Sequence, residues 1–426
     1  MATVGTERSA NLSSFLGLDN RRPDFRLRTQ DGALLRAAAN VDISDANTAK
    51  RRKGSTLAQA GSHCHSLWAN PATGVGYYVD GGTLYKLTTP PRGDPTRTAL
   101  ATGLADRPLS YAAFDNEVVF SDGLILRTIV DNAVRAFGMP VPAETPRVYY
   151  YGADTGSLPA GVYLFCWAYR NAWSELSGTS DVASIEVLEN DSITVTTPHA
   201  PWPADVTELV LYMSPANTDT LYRVASFSDP NNSYTAYVLP SGLHQASTFG
   251  MVSLPPGRIL RYWGGRLYSA NGDTLWFSRP YSPALCSPAR DYVQFDAPVT
   301  VVEPCDDGLF IVADKTYWLG GDPEHATLKT INSNRGVLGS SGTFVSDRVA
   351  KCFWMSDHGL VVGSSGAVEP VQDEHVFMPL AAAGASLFRE SDGVRQVMSS
   401  VFGANQSVTA ASSFMDAEVV RKGTKK

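Results

Sequence analysis

Apolar and polar positions alternate along most of this chain, and tight clusters of Asp, Asn, Ser and Gly break the alternation at short intervals. A period of two with such breaks predicts strands joined by hairpin turns. The pattern is clear in Tyr77-Tyr78-Val79-Asp80-Gly81-Gly82-Thr83-Leu84-Tyr85-Lys86-Leu87 and again from Phe114 to Leu126. It returns from Arg266 to Ser278, from Asp307 to Leu319, and in Phe353-Trp354-Met355-Ser356-Asp357-His358-Gly359-Leu360-Val361-Val362-Gly363. Consecutive copies recur about every 37 to 45 residues, the spacing of a four-stranded propeller blade. One such unit cannot bury both faces, so the units are expected to stack around an axis.

The pattern divides the chain. Residues 1–60 read as an extended arm with apolar anchors at Leu12, Phe15, Leu16, Leu18 and Phe25. An edge strand is expected at Ala37-Ala38-Ala39-Asn40-Val41-Asp42-Ile43, followed by a basic turn, Lys50-Arg51-Arg52-Lys53-Gly54. Blade-like units occupy 61–138. Three prolines between Gly138 and Pro146 exclude a central strand there and mark a linker.

From 139 to 254 the spacing changes. In Val162-Tyr163-Leu164-Phe165-Cys166-Trp167-Ala168-Tyr169 the apolar and aromatic residues take opposite faces. Short strands follow at Ser192–Thr196, Glu208–Ser214 and Leu221–Phe227, as in a small β-sandwich. With Asn171-Ala172-Trp173-Ser174-Glu175-Leu176-Ser177 after the aromatic strand, this region resembles a fibronectin type III domain. The blade pattern resumes over 255–420, and a short basic tail, 421–426, is expected to fray. The expected fold is all-β: a propeller of about six blades with an inserted fibronectin III-like sandwich and an N-terminal arm.

Composition agrees with strands and turns. Gly (36), Pro (26), Tyr (18) and Phe (17) are abundant, and only 18% of the 426 residues are charged. The net charge of −7 gives no whole-chain attraction for nucleic acid. It is uneven, however. Residues 1–60 carry ten Lys/Arg and six Asp/Glu, a local +4, which leaves −11 for the remainder. The four adjacent cations Lys50, Arg51, Arg52 and Lys53 repel one another and call for solvent or an anionic partner, so they are the candidate assembly or phosphate contact. No apolar run is long enough for a membrane helix, so no membrane insertion is expected, and Met1–Ala10 lacks the apolar region of a signal peptide. Five widely spaced cysteines, Cys64, Cys166, Cys286, Cys305 and Cys352, fit buried free thiols in a reducing compartment.

Candidate chemistry is sparse. His63-Cys64-His65 is the most metal-like cluster, but in a strand the two histidines share one face and lack the further ligands zinc needs. No G-x-S-x-G elbow is present. Asp306-Asp307 and Asp357-His358 fall in or beside hairpin turns, where Asp serves the backbone. Gly336-Val337-Leu338-Gly339-Ser340-Ser341-Gly342 lacks the Lys of a phosphate-binding loop. The repeated Ser-x-Asp-x-Gly-x-x-Trp turns of sialidase-like propellers are absent. Trp68, Trp263, Trp276, Trp318 and Trp354 recur at similar places and read as core; exposed, they would suit a carbohydrate-binding propeller for host recognition, the alternative function. No catalytic residue, metal or cofactor is assigned.

The order of these features carries a resemblance. Asn40-Val41-Asp42-Ile43, then Lys50-Arg51-Arg52-Lys53-Gly54, then blades containing Gly264-Gly265-Arg266-Leu267-Tyr268, Leu275-Trp276-Phe277-Ser278 and Trp354-Met355-Ser356-Asp357-His358-Gly359-Leu360 is similar to tail hub or nozzle proteins of short-tailed bacteriophages, the DNA-stabilisation type. The resemblance implies a structural virion protein assembled in the host cytoplasm, in a ring expected to be a hexamer. That ring would meet the tail adaptor and portal-proximal proteins, anchor fibres or spikes, and retain packaged DNA that passes without sequence-specific contact. It implies no catalytic residues.

Overall fold

The computed structural model describes residues 14–44, 46–52, 54, 57–89, 94–152, 154–198, 201–239, 244–376, 381–391, 394–403 and 418–420. Strands and turns dominate them, and the one helical element among them is a three-residue 3-10 turn, Asp24–Arg26. The chain forms two compact units: Met1–Pro108 with Ala270–Thr274 and Gln294–Lys426, and Leu109–Ser269 with Leu275–Val293.

In the first unit, three sheets are four-stranded antiparallel meanders in chain order. They comprise Cys64–Ala69, Gly76–Asp80, Thr83–Thr88 and Thr96–Ala101; then Val301–Pro304, Gly308–Val312, Thr316–Gly320 and Leu328–Asn332; then Gly342–Ser346, Val349–Ser356, Gly359–Ser364 and Ala367–Pro370. A three-stranded sheet of Ala381–Ser391, Val394–Gly403 and Glu418–Val420 follows.

The hairpins form where the sequence places left-handed residues. Gly81 and Gly82 have φ of 56° and 75°, the geometry of a two-residue type I′ turn whose twist matches the flanking strands. Asp347 and Arg348 make a similar turn at 56° and 64° without glycine. Phe310, Trp318, Cys352, Trp354 and Val361 pack together between the second and third meanders. Phe353, Met355 and Leu360 join Val376, Ala381 and Val401 in the next cluster along.

The second unit holds the meander Ser110–Phe114, Glu117–Ser121, Leu126–Val130 and Ala133–Ala136. Asp115 and Asn116 form its first turn at φ of 45° and 66°. Against it packs the sheet that begins with Ile259–Trp263: Ala112, Val119, Leu254, Leu260, Leu267 and Cys286 share one core. The rings of Phe114 and Tyr262 stack at 4.5 Å, and the Leu260 N–H donates to Ser110 Oγ at 2.9 Å. These two sheets are therefore neighbours although the whole of 137–258 lies between them in the chain.

That intervening stretch contains two facing sheets. One has the order Arg147–Gly152, Ser192–Thr196, Ser233–Ala236. The other is built on the long strand Gly161–Asn171, flanked by Val206–Met213 and Tyr222–Phe227 on one side and by Leu176–Thr179 and Ala183–Val187 on the other. Tyr163, Phe165 and Trp167 point into the layer between the sheets and meet Ile193, Val195, Leu209, Leu211 and Ala236. Cys166 and Ala168, on the opposite face, cluster with their ladder partners Tyr212 and Val210 and with Leu221. No strand crosses 137–146, the proline-bearing connection.

Candidate assembly surface of the N-terminal segment

The arm is ordered by a few specific bonds. Phe15–Leu18 pairs in parallel with Ala33–Leu35, with a register shift between Phe15 and Gly17 that leaves Leu16 unpaired. Gly32 (φ 155°) permits the approach of the two segments, since a Cβ there would lie 2.8 Å from the Ser14 carbonyl oxygen. Between the strands, Arg36 binds Asp24 Oδ1 and the carbonyl oxygens of Asn20 and Arg22, so one guanidinium closes the intervening loop.

The root of the arm is tied to the turn that follows strand Ala367–Pro370. The Asp19 carboxylate is fully buried. Its Oδ1 accepts from the backbone N–H groups of Arg21 (3.1 Å) and Arg22 (2.9 Å), and its Oδ2 lies 2.9 Å from His375 Nδ1 and 3.3 Å from Arg22 Nε. The Asn20 N–H donates to the His375 carbonyl at 3.0 Å. A second pair lies beside it: Asp373 Oδ1 meets His358 Nδ1 at 2.8 Å and Arg21 Nη1 at 3.2 Å, and Arg21 Nη1 also donates to the Asp373 carbonyl. Leu18 packs against the Val337, Phe353 and Val376 cluster.

Burial pushes the Asp19 carboxyl upward, but the Arg22 N–H, the His375 ring and the Arg21 N–H outweigh it and hold the group below its ordinary value. Asp373 is held low chiefly by its bond to His358, against a smaller opposing effect of burial.

The cationic run takes a different form from the expected turn. The strand begins at Val41, not at Ala37, and Val41–Ile43 pairs antiparallel with Ala49–Arg51. Lys50 and Arg51 are therefore strand residues. Turn chemistry lies upstream, where Asn47 takes φ 55° and the Ser44 and Thr48 hydroxyls bond each other at 2.5 Å. Lys and Arg offer no comparable bond to the local backbone. The hairpin also divides the charge. Lys50 sits opposite Asp42 in the ladder, and Arg52 Nε reaches Asp42 Oδ1 at 3.3 Å. Successive strand residues face opposite ways, so Lys50 and Arg51 present cations on two faces. Both are exposed, as is all of Ala49–Arg51. Lys53 lies outside the described residues, as does the tail 421–426. The hairpin is joined to the arm by the Phe15 N–H, which donates to the Asn47 carbonyl at 2.7 Å.

Other sequence candidates resolve locally. Asp357 and His358 form the turn between Val349–Ser356 and Gly359–Ser364, and Asp306 lies in the turn before Gly308–Val312. His65 Nδ1 bonds Ser66 Oγ at 2.7 Å, and Nε2 lies 3.5 Å from Asp106. Among the described residues no three His, Cys, Asp or Glu side chains converge as metal ligands. Four cysteines are buried; Cys64 is exposed, contrary to expectation, because it opens the outer strand of its sheet. Trp318 and Trp354 are buried, while Trp68, Trp263 and Trp276 are half-buried.

Asp19 and His375 carry no signal of pairing in the sequence, since 356 positions separate them. The local sign was Asp19-Asn20-Arg21-Arg22-Pro23, an Asp poised to bond the backbone two and three residues on.

No family model and no curated protein matches this chain. Among solved structures it is similar to BBS1N in complex with ARL6DN (10% identity, TM-score 0.32, 80% of this chain and 90% of that one). It is similar to virginiamycin B lyase from Staphylococcus aureus (10%, 0.33, 81% and 94%) and to a functionally unknown protein from Desulfotomaculum acetoxidans (12%, 0.29, 73% and 85%). Likenesses this distant carry no inference about activity.

Proposed function

We propose that this chain is a structural subunit of a bacteriophage tail, forming a hub or nozzle ring with copies of itself, through which packaged DNA passes. In this reading the meanders are blades of a propeller of about six, and the facing sheets within 139–254 are a fibronectin III-like insertion. The stacking of Phe114 on Tyr262 across the intervening segment supports an insertion. The observation that carries the assembly role is the arm. Its root is fixed by Asp19, Arg21 and Leu18, while the attached hairpin keeps Lys50 and Arg51 exposed. A tethered segment with an exposed cationic strand suits lashing between neighbouring subunits, whose surfaces carry the chain's negative surplus. The ring would meet the tail adaptor on one side and fibres or spikes on the other.

Mass photometry of the purified protein, alone and with the tail adaptor, tests this. Discrete multimers of this chain are expected in the presence of the adaptor. Monomers alone under both conditions would overturn the ring.

A further inference from the structure

Two cysteines that are far apart in sequence meet inside the first unit. Cys305 follows the strand Val301–Pro304 and opens the turn closed by its own N–H bond to the Gly308 carbonyl at 2.8 Å. Cys352 lies in Val349–Ser356 of the next meander. Their sulfurs are 3.6 Å apart, and both lie against the Gly363 carbonyl oxygen, Cys352 at 3.7 Å and Cys305 at 3.9 Å.

The surroundings hold this arrangement. Asp306, next to Cys305, accepts a hydrogen bond from the Ala350 N–H at 2.9 Å, so the turn is pinned to the strand carrying Cys352 two residues from the thiol. Gly363 leaves the space open: a Cβ there would come within 2.7 Å of the Phe310 ring and 3.0 Å of Cys352 Sγ. Phe310 and Trp354, with ring centres 5.6 Å apart, wall the remaining side.

We infer that Cys305 and Cys352 form a redox-active dithiol site, which takes small disulfides and closes into a bond stapling two neighbouring sheets. The sulfurs need to approach by roughly 1.5 Å to reach a bond length of about 2.05 Å, a shift that side-chain rotation and a small movement of the turn can supply. The two thiols play different parts. Its bond with Cys352 holds the Cys305 thiol below its ordinary value against the opposing effect of burial, whereas burial above all pushes Cys352 up. Cys305 is itself buried, at 4% exposure, but Asp306 and Asp307, which follow it, are exposed, so a movement of this turn is what brings the thiol to a reactant.

The Cys305 thiolate therefore attacks one sulfur of a small disulfide, and the disulfide's S–S bond breaks. The first leaving thiolate departs and takes up a proton. Cys352, giving up its proton to solvent, then attacks the Cys305 sulfur and expels the second thiolate, which is protonated in turn. Two cysteine thiols are oxidised and one external disulfide is reduced to two thiols. The Asp306 and Asp307 carboxylates make a cationic disulfide a better reactant than an anionic one.

The test uses the full chain carrying C64S, which removes the exposed thiol. Native protein is treated with cystamine, oxidised glutathione or diamide, unfolded, alkylated and peptide-mapped. The expected product is a peptide pair joined through Cys305 and Cys352, formed at least several-fold faster with cystamine than with oxidised glutathione. Closing this loop should raise Tm by about 5 °C, reversibly with dithiothreitol. In C352S the cystamine half should remain trapped on Cys305, and C305S should show no adduct at Cys352. Should the serine variants fail to fold, C305A and C352A give the same readouts. Both thiols still free after all three oxidants, or both carrying separate adducts, would overturn the site. The outcome is independent of whether the protein forms a ring.

Discussion

His375 Nδ1 stands 2.9 Å from Asp19 Oδ2, which joins the end of strand Phe15–Leu18 to the turn after Ala367–Pro370. The carboxylate is buried and makes four polar contacts, so its removal strands partners as well as a charge. Asp19→Ala should loosen the arm by about 2 kcal/mol, discounted because the His375 ring is partly exposed. Proteolysis of an opened segment follows its open population. Tryptic cleavage after the exposed Arg26 and Arg28 should therefore rise by roughly 30-fold with the rest of the chain intact. Unchanged cleavage would show that the remaining root contacts, Leu18 packing and the Arg21–Asp373 pair among them, hold the arm without Asp19.

The same contacts set a pH dependence. Asp19 and Asp373 are both held below the ordinary carboxylate value in the folded protein. Protonation of each is thus easier in the unfolded chain. Their stabilisation is complete above the unfolded value of about 4 and is lost as pH falls through the lower folded values. The Tm difference between wild type and the Asp19→Asn, Asp373→Asn double variant should be largest near neutrality and shrink below about pH 4. A difference that grows on acidification would contradict the assignment.

Arg135 performs a comparable role in the second unit. Its guanidinium lies 3.3 Å from Glu117, 3.1 Å from Glu175 and 4.1 Å from the centre of the exposed Trp173 ring. It thereby joins the Ala133–Ala136 strand to the turn after Gly161–Asn171, where Asn171 Oδ1 accepts from the Trp173 and Glu175 N–H groups. A lysine has neither the fork nor the flat face. Arg135→Lys should cost about 1–2 kcal/mol and Arg135→Ala about 2–3 kcal/mol in urea unfolding, with part of Glu175's share discounted for exposure.

Gly178 lies in Leu176–Thr179 against the Met251 carbonyl, where any Cβ would overlap that oxygen and crowd Val141. Neither neighbour can swing away freely, since one is backbone. Gly178→Ala should cost about 3 kcal/mol or more and reduce soluble yield, whereas the same change at Gly74, with open space around it but φ of 68°, should cost only about 1 kcal/mol. Equal Tm values for the two variants would refute the close approach.

Local periodicity made the strands visible. Alternation around Tyr163, Phe165 and Trp167 and the Gly81-Gly82 turn are encoded within ten residues, so both could be read directly. The boundaries of the cationic hairpin could not, because Ser44 and Thr48 are weak turn formers and the cationic run itself carries no turn signal. Long-range pairs were invisible for a simpler reason. Asp19 with His375, and Cys305 with Cys352, depend on where separate sheets come to lie, which no local pattern records.

Charge reversal at the hairpin separates assembly from folding. Lys50 and Arg51 are exposed, and surface changes away from caps and cores usually shift stability by about 0.5 kcal/mol or less. The Lys50→Glu, Arg51→Glu double variant should therefore melt at nearly the wild-type temperature. If these side chains contact an acidic neighbour, the variant should lose multimers in mass photometry, and wild-type assembly should weaken as salt is raised. Arg52→Glu should behave differently. Its ion pair with Asp42 at 3.3 Å becomes a repulsion inside the hairpin, so trypsin should cut at Lys50 more readily even in the monomer. Full assembly of the double variant would move the contact elsewhere on the arm.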